Sequence, residues 1–562
     1  MRLSDVSQML QTASQFTSAL LRQSQIIWLV IIVLGSLVMI GHQTLPPIDR
    51  DEARFAQASS QMLQTGDFIT VKFQDEYRAK KPAGIYWLQS ISAGLFGSDD
   101  IANYRLPSLA GYLISFLLMV AFARSMNLTG WGNLAPLAGG LMLASSFVVF
   151  AEAHFAKTDS VLLAALLWQQ WALWDIYRRR NDGQAGAAIH QFWVAMGLAI
   201  LIKGPIGPVV AFGTIALIAL FDKSLILIGR IRLLRGLLIL AMIVAPWAVS
   251  VQIATNGAFL DIAIKGDFLA KIQSGQESHG APFGLYLVLL PLLAFPASLF
   301  FGQLALLGRA VFKRDKGRFA LAWLVGYWLM IELTPTKLPH YILPALPALF
   351  LLVLLCFRYP SDAVKWRRIT AYGISLYTGL LGVLFSFFLG YGALVYGGVG
   401  AGEAFFIALL VIVITGGLLW LFWHWIRRPQ SGMMLQILLI GLFMHMLIIA
   451  GIIAGANRLH VSTALADAIS DLKSKPTVIA AAGYHEPSMV FLLGRDILLV
   501  TETEAALLLA ESQDGLAIIE AAKKETFDKV SAKLGLSPKQ IKTVSGFNIS
   551  KGRDVRLLLY QK

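Results

Sequence analysis

The sequence predicts a polytopic α-helical membrane protein followed by a small α/β domain. Apolar runs of about 20 residues recur along the chain, and each is long enough to cross roughly 30 Å of hydrocarbon. Of the 562 residues, 57% are hydrophobic and only 14% are charged, which is too apolar for a soluble protein of this length. From about residue 456 the pattern changes, because the apolar runs shorten to the length of strands.

About thirteen membrane spans are predicted from the apolar runs. They cover residues 25–41, 105–124, 131–150, 160–177, 191–203, 204–221, 236–254, 283–307, 318–334, 341–358, 370–393, 403–426 and 433–455. Lys203-Gly204-Pro205 interrupts the region 191–221, which therefore forms either two short spans or one broken helix. Residues 1–24 are polar and amphipathic, and they are predicted to lie on the cytoplasmic membrane surface. Residues 25–455 then form the membrane domain.

The distribution of basic residues predicts the topology. With the N-terminus inside, the lysines and arginines of 178–180, 223–235, 309–318, 358–368 and 427–428 fall on the cytoplasmic side, as the positive-inside rule requires. This accounts for the net charge of +14 without a nucleic-acid partner. An odd number of spans places residues 456–562 outside. The single cysteine, Cys356, lies in an apolar run and is predicted to be a buried, inert thiol.

The C-terminal residues 456–562 predict a small soluble α/β domain. Strands are expected at 477–482, 497–500, 516–520 and 555–560, and helices at 462–473 and 502–511. No glycine-rich phosphate loop is present, so the domain is expected to have a structural or acceptor-docking role.

The first outside loop, residues 42–104, contains a dense island of charge between Ile48 and Trp87, with a helix predicted over 53–64. Asp51 and Glu52 directly follow the first span, and Arg54 lies close by. A carboxylate there can take a proton from a hydroxyl or orient it, although two solvated loop acids are the alternative. Lys80 and Lys81 end the island, where they either bind a phosphate or anchor the loop at the interface.

Three other outside segments carry charge next to a span. Asp159 opens a span and is costly there unless paired, with Lys157 or Arg105 as the expected partner; a helix N-terminal carboxylate is the alternative. Lys203 stands at the break between two apolar runs. It either binds the phosphate or extends its ammonium from the helix end to the membrane surface. The motif TPTKLPHY supplies Lys337, His340 and Tyr341. The lysine and the tyrosine can hydrogen-bond a phosphate, whereas an interfacial aromatic anchor is the alternative for the tyrosine. His340 is a further site candidate.

The long loop 255–282 mixes charged residues with glycines, a composition typical of a mobile loop over a site. The charged and titratable residues are Lys265, Asp267, Lys271, Glu277 and His279. Glu277 and His279 could hold a metal ion, but two ligands without further spacing do not define a site. No cofactor is expected to be required, and the metal question stays open.

Taken together, these motifs resemble the GT-C glycosyltransferases of the aminoarabinose-transferase and protein O-mannosyltransferase type. The resemblance rests on DEARFAQASSQMLQTGDF, KKPAGIYW, RLPS, LIKGPIGP and TKLPHYILPALPAL, which occur in the order seen in that group. It covers roughly residues 25–350 well and the remainder only by architecture. It implies the GT-C fold, a location in the bacterial inner membrane, and a site on the periplasmic side, where the C-terminal domain also lies.

The resemblance also implies roles for individual residues. Asp51 corresponds to the catalytic carboxylate and Asp159 to the second carboxylate of the group, while Lys81 and Tyr341 correspond to contacts with the carrier phosphate. Lys271 is the nearest match to a basic residue of the long loop, where the aminoarabinose enzymes have an arginine.

The expected function is therefore sugar transfer from an undecaprenyl-phosphate carrier to lipid A or other lipopolysaccharide. The sugar is aminoarabinose or another pentose or hexose. Protein O-mannosylation and transport of a lipid-linked sugar are the alternatives, and a transporter favours charges at the bilayer midplane.

Overall fold

The computed structural model describes residues 25–48, 50–128, 134–182, 185–262, 280–358 and 365–562. Helices dominate up to residue 459, and a mixed sheet with helices follows. The predicted interfacial segment 1–24 lies outside the described residues.

Eight helices in the described part of the chain are long and apolar enough to cross a membrane. They are Gln25–Thr44, Ile101–Ser125, Gly186–Lys203, Leu233–Ala254, Pro339–Phe357, Lys365–Tyr396, Ala401–Arg427 and Ser431–Ile453. The remaining predicted spans also overlap helices, which are shorter, broken or more polar: Ala135–Ala144 with Phe147–Glu152, Asp159–Arg178, Ile206–Asp222, Leu285–Leu293 with the 3-10 helix Ala297–Leu306, and Asp315–Leu333. The multi-span architecture is thus present, and thirteen crossings stay a prediction.

Two spans that were predicted to be continuous are interrupted. The span 131–150 is divided at Ser145 and Ser146, where the Ser146 hydroxyl donates to the carbonyl of Met142 at 2.8 Å. The span 283–307 is divided between Leu293 and Ala297, next to Pro296, whose missing amide hydrogen cannot continue an α-helix.

The break at Lys203-Gly204-Pro205 separates two helices, Gly186–Lys203 and Ile206–Asp222, and whether each crosses the membrane stays a prediction. Gly204 adopts a φ of 72°, in the left-handed region that glycine tolerates. After the turn, Gly207 packs so closely on the preceding helix that an added Cβ would lie 2.9 Å from the Cβ of Ala199. The chain therefore forms a tight helical hairpin with Lys203 at its tip.

Glycines also bring the helices Ile206–Asp222 and Asp315–Leu333 together. A Cβ on Gly326 would lie 2.8 Å from the carbonyl carbon of Gly213, so the two backbones touch at this crossing. Small residues at helix crossings permit this close approach in membranes. At the far ends, Arg318 pairs with Asp222 at 3.0 Å, which joins these two helices to each other. The Tyr177 hydroxyl of the helix Asp159–Arg178 donates to Asp222 at 2.8 Å, which ties that helix to them.

The first loop contains the helix Arg50–Thr65, here called the loop helix. It starts three residues before the predicted position, and Asp51 and Glu52 in its first turn suit the helix dipole. Phe55, Ala58 and Met62 lie along its buried side. A short antiparallel ribbon, Lys72–Phe73 with Glu76–Tyr77, and the helix Gly84–Phe96 complete the loop.

The C-terminal domain has a five-stranded sheet. In spatial order the strands are Leu498–Val500, Val478–Ala482, Gly515–Glu520, Arg553–Gln561 and Lys539–Asn548. The first three are parallel and the last two pairings are antiparallel. The four predicted strands are present, as are the helices Val461–Ser470 and Glu502–Glu511. The edge strand Lys539–Asn548 was missed, because most of its residues are polar and its apolar pattern is weak.

Candidate active site

A cavity of about 830 Å³ opens beside the first loop, and six of the predicted site residues line it. These residues are Lys80, Lys81, Asp159, Lys203, His340 and Tyr341. They come from the end of the first loop, the start of the helix Asp159–Arg178, the hairpin tip and the segment Pro339–Ala345. Polar segments that are distant in the sequence therefore meet at one end of the helical bundle.

The rest of the cavity wall is apolar. It is formed by Leu162, Leu163, Ile206, Val209, Leu329, Met330, Ile331, Leu333, Leu343 and Pro344, together with the ring of Tyr327. Gly326 lies both in this wall and at the crossing with Gly213, so the helix crossing marks one limit of the groove. A cationic end that continues into an apolar groove between helices suits an amphiphile with an anionic head.

Asp159 is buried and pairs with Lys203, whose Nζ lies 2.6 Å from Oδ1. The expected partners, Lys157 and Arg105, were wrong: Lys157 pairs with Glu152 at 3.1 Å, and Arg105 pairs with Glu52. The reason is the hairpin, which brings a lysine 44 positions away in the sequence next to the carboxylate. Lys203 is thus half of a shielded ion pair rather than a lone snorkelling lysine.

His340 lies between two buried carboxylates. Its Nδ1 is 3.8 Å from Glu152 Oε1, and its Nε2 is 4.0 Å from Asp159 Oδ1. Glu152 was not among the sequence candidates, although AEAHFAK places an acid and a lysine five residues apart at the end of a span. Lys203 Nζ also lies 5.7 Å from the centre of the Tyr341 ring, so the cations and the tyrosine share one polar cluster.

The backbone that presents His340 and Tyr341 is fixed by two buried tyrosines. The Tyr286 hydroxyl donates to the carbonyl of Leu338 at 3.0 Å, and the Tyr327 hydroxyl donates to the carbonyl of Tyr341 at 2.8 Å. These bonds hold the 3-10 segment Pro339–Ala345 so that both side chains face the cavity.

Asp51 lies in the first turn of the loop helix with 55% of its side chain exposed. Arg54 Nη1 is 3.4 Å and Arg78 Nη2 is 3.9 Å from its Oδ1. Desolvation by the surrounding loop acts to raise the pKa of Asp51, but the positive charges of Arg78, Lys157, Arg54 and His340 together lower it below its ordinary value. Two of these cations, Lys157 and His340, belong to the cluster around Asp159 and Glu152. Asp51 is not among the residues that line the cavity, but His340, which does line it, contributes to the lowered pKa. The Asp51 carboxylate is therefore ionised, accessible and within electrostatic range of the cavity wall.

Arg78 is a further site candidate, which was not predicted from the sequence. Its Nε donates to the Tyr86 hydroxyl at 3.1 Å, and its guanidinium lies 5.0 Å from the centre of the Phe55 ring. The signal available in the sequence was its position two residues before Lys80.

Glu52 and Arg105 do not reach the cavity, which corrects their place among the site candidates. Both are fully buried, with Arg105 Nε 2.7 Å and Nη2 3.0 Å from the two carboxylate oxygens. The amide of Ala156 also donates to Glu52 at 2.9 Å, and Arg105 donates to the carbonyls of His42 and Leu45. This pair ties the loop helix to the membrane domain. Because Glu52 directly follows Asp51, the pair also fixes the position of Asp51.

Lys337 was predicted to bind a phosphate, and the structure places it elsewhere. Its Nζ is buried and donates to the carbonyls of Ile331, Glu332 and Thr334 at 2.8–3.2 Å. The Glu332 carboxylate lies 3.5 Å away. The ammonium therefore caps the end of the helix Asp315–Leu333, where the exposed carbonyls attract a cation.

The predicted residues of the long loop, Lys271, Glu277 and His279, lie outside the described residues, as do Lys265 and Asp267. Within the described ranges, no group of three or more His, Cys, Asp or Glu side chains is arranged to hold a metal ion.

The fold and the site together define a class: polytopic membrane proteins in which an acidic first loop and a cation-lined cavity share one end of the bundle. Comparison with known proteins gives this class a name. The chain is similar to ArnT from Cupriavidus metallidurans bound to undecaprenyl phosphate, with a TM-score of 0.71 at 18% sequence identity over 94% of this chain and 98% of that one. This shows that the chain has the ArnT-like, GT-C fold.

Sequence comparison agrees with the resemblance drawn from the motifs. Residues 45–258 match the family model of dolichyl-phosphate-mannose-protein mannosyltransferase. An undecaprenyl phosphate-alpha-4-amino-4-deoxy-L-arabinose arabinosyl transferase from Yersinia pestis (strain Pestoides F) is 27% identical over 349 residues, 60% of this chain and 58% of that protein. An uncharacterized protein from Aquifex aeolicus (strain VF5) is 27% identical over 307 residues, 53% and 57% of the two chains. The chain thus spans less than three fifths of the length of these relatives.

Proposed function

We propose that this protein transfers a sugar from an undecaprenyl-phosphate carrier to an acceptor, lipid A or another lipopolysaccharide, on the periplasmic side of the bacterial inner membrane. The observation that carries the proposal is the cavity, whose cationic end continues into an apolar groove beside an ionised aspartate. A phosphate on a polyprenyl chain matches both halves of this cavity. The similarity to the aminoarabinose transferase of Yersinia pestis supports aminoarabinose as the sugar.

In the proposed reaction the carrier phosphate lies among Lys81, Lys80 and Tyr341, with Lys271 of the long loop as a further cation. The acceptor hydroxyl attacks the anomeric carbon while its proton passes to Asp51. The bond from that carbon to the phosphate oxygen breaks, and its electron pair remains on the phosphate. Cations placed where this negative charge grows stabilise the transition state. One displacement inverts the anomeric centre.

Asp159, Lys203, Glu152 and His340 have a different role in this proposal. Lys203 lies 2.6 Å from Asp159, and His340 lies 3.8 Å from Glu152 and 4.0 Å from Asp159, so the four side chains form one connected network that is mostly shielded from water. Such a network fixes the orientation of each member. Asp159 thereby holds Lys203 at the cavity wall, where the ammonium faces the phosphate.

Protein O-mannosylation is the second candidate, because the mannosyltransferase family model matches residues 45–258, the part that carries Asp51, Asp159 and Lys203. A transporter of lipid-linked sugar is disfavoured. The charges gather at one end of the bundle rather than halfway along it, and the matched relatives with a stated activity are transferases.

Replacement of Lys81 with alanine is expected to weaken binding of undecaprenyl phosphate about tenfold. A charge-assisted hydrogen bond contributes about 1.5–3 kcal/mol, and about 1.4 kcal/mol corresponds to a factor of ten in affinity. Binding of tritiated undecaprenyl phosphate to the purified protein in detergent measures the change. Lys72→Ala is the matched control, because Lys72 lies in the same loop with its ammonium over Tyr77 and away from the cavity wall. If the Lys81 variant and the wild type bind undecaprenyl phosphate with equal affinity, Lys81 does not bind the phosphate.

Deletion of the gene is expected to remove one sugar substituent from lipid A. Mass spectrometry of lipid A from deletion and wild-type cells measures this directly, and the lost mass identifies the sugar. Unchanged lipid A together with lost glycosylation of periplasmic proteins would instead support O-mannosylation. Complementation with Asp51→Asn separates loss of activity from loss of the protein.

A further inference from the structure

The C-terminal domain contacts the first loop through a buried carboxylate. Glu486 stands just before the helix Pro487–Leu493 and is only 6% exposed. Asn548 Nδ2 donates to its Oε1 and the Ser550 hydroxyl donates to its Oε2, both at 3.1 Å. From outside the domain, Arg50 approaches Oε2 with its Nε at 3.5 Å. Glu486 is thus held rigidly within its own domain and faces the first residue of the loop helix.

Two further contacts join the C-terminal domain to this region, one at the short ribbon of the first loop and one at the start of the helix Ile101–Ser125. The side chain of Gln74, at the tip of the short ribbon, donates to the carbonyls of Arg495 and Ile497 at 3.0 and 2.8 Å. The backbone of Gln74 is bonded in turn to the Gln61 side chain on the loop helix. The ring of Phe491 packs edge-on against Tyr104, with ring centres 5.6 Å apart.

Arg50, Asp51 and Glu52 are consecutive, and the two outer residues are anchored to different parts of the protein. In an α-helix, residues two positions apart point about 200° away from each other. Arg50 accordingly meets the C-terminal domain, while Glu52 meets Arg105 of the membrane domain. Asp51 lies between these anchors and remains accessible. Rotation of this first turn would break at least one of the two ion pairs.

We propose that the C-terminal domain acts as a positioning element for Asp51, and that Glu486 is the positioning residue through its ion pair with Arg50. The proposal rests on the proposed function. It assigns the domain a place in the chemical step instead of acceptor docking: the domain sets the direction of the carboxylate that receives the acceptor proton. Small displacements of a reacting group cost rate rather than binding.

The test measures the variants Glu486→Gln, Arg50→Gln and the double variant in full-length protein. The transfer rate at saturating donor is expected to fall about tenfold in each single variant, and no further in the double variant, since both act through one contact. Transfer to lipid A by the wild type is first measured with undecaprenyl-phosphate aminoarabinose and with a polyprenyl-phosphate mannose. The donor that gives the faster transfer is then used for all variants. The KM for lipid A and the affinity for undecaprenyl phosphate are expected to stay within about twofold of wild type.

The control is Glu525→Gln, which removes an exposed ion pair with Lys529 within the same domain and is expected to leave the rate unchanged. Wild-type rates in Glu486→Gln, or a raised KM for lipid A at an unchanged rate, would overturn the proposal, the second outcome in favour of acceptor docking. If the rate losses of the two single variants add up in the double variant, the proposal is also overturned. Full activity in Asp51→Asn would instead remove the proposed function, so the two failures are distinct.

Discussion

Asp51→Asn is expected to lower the rate of sugar transfer by about a hundredfold or more, while undecaprenyl phosphate binds as in wild type. Loss of a positioned general base commonly costs about 10²–10⁴ in rate. Asparagine keeps the size of the side chain and can still accept hydrogen bonds from Arg54 and Arg78, which now lie 3.4 and 3.9 Å from the carboxylate. What it cannot do is receive the proton of the acceptor hydroxyl. Single-turnover transfer and binding of tritiated undecaprenyl phosphate measure the two quantities separately.

Asp99→Asn is the matched control for this prediction. Asp99 is an exposed acid near the other end of the same loop, and its carboxylate accepts a hydrogen bond from the hydroxyl of its neighbour Ser98. The pH profile adds a second check. Because the nearby cations lower the pKa of Asp51, the base stays ionised as the pH falls, and the wild-type rate should decline only below the ordinary titration range of an aspartate. A transfer rate of Asp51→Asn within threefold of wild type would contradict the assignment.

The sequence carried enough information to predict the fold class and much of the cavity, because hydrophobic length and loop charge act locally. Continuous apolar runs predicted the helices. Asp159 and Tyr341 could be selected from their positions at the ends of spans, and Lys81 from its position at the end of the charged island. The observation that these residues share one cavity with Lys80, Lys203 and His340 follows from packing. Their roles in catalysis stay predictions.

The sequence could not show which charged residues are internal. Asp51 and Glu52 are adjacent and chemically similar, yet one is accessible and the other is completely buried. Lys337 and Lys203 likewise both follow a span, but one caps a helix and the other lies in the cavity wall. These differences depend on helix rotation and on partners 44 or 53 positions away, which a pattern of single residues does not specify.

The contact between the C-terminal domain and the loop helix was equally hidden. Glu486 and Arg50 are separated by most of the chain, and neither stands in a recognisable motif. The edge strand Lys539–Asn548, whose last residue holds Glu486, was itself missed because its apolar pattern is weak. A docking or structural role was therefore the most that the composition of the domain supported.

Arg105→Met is expected to lower the stability of the folded protein by about 3–5 kcal/mol, because it leaves the Glu52 carboxylate buried without its cation. Both side chains are completely buried, and water cannot replace the two bonds of 2.7 and 3.0 Å that the guanidinium donates. The loss also frees the carbonyls of His42 and Leu45 from their donor. Thermal unfolding in detergent, followed by intrinsic fluorescence at constant lipid content, measures the change.

The double variant Arg105→Met with Glu52→Gln distinguishes the cost of an unpaired charge from the cost of lost packing. The glutamine oxygen can still accept the amide of Ala156, which donates to Glu52 at 2.9 Å, and no net charge is left inside. The double variant is therefore expected to be more stable than Arg105→Met alone, since a neutral pair avoids the desolvation penalty. Lys529→Met, which breaks an exposed pair, should change stability by less than about 1 kcal/mol. If the double variant unfolds at or below the temperature of the single one, the buried charge is not what the arginine neutralises, and the anchor beneath Asp51 must be sought in the packing of the loop helix instead.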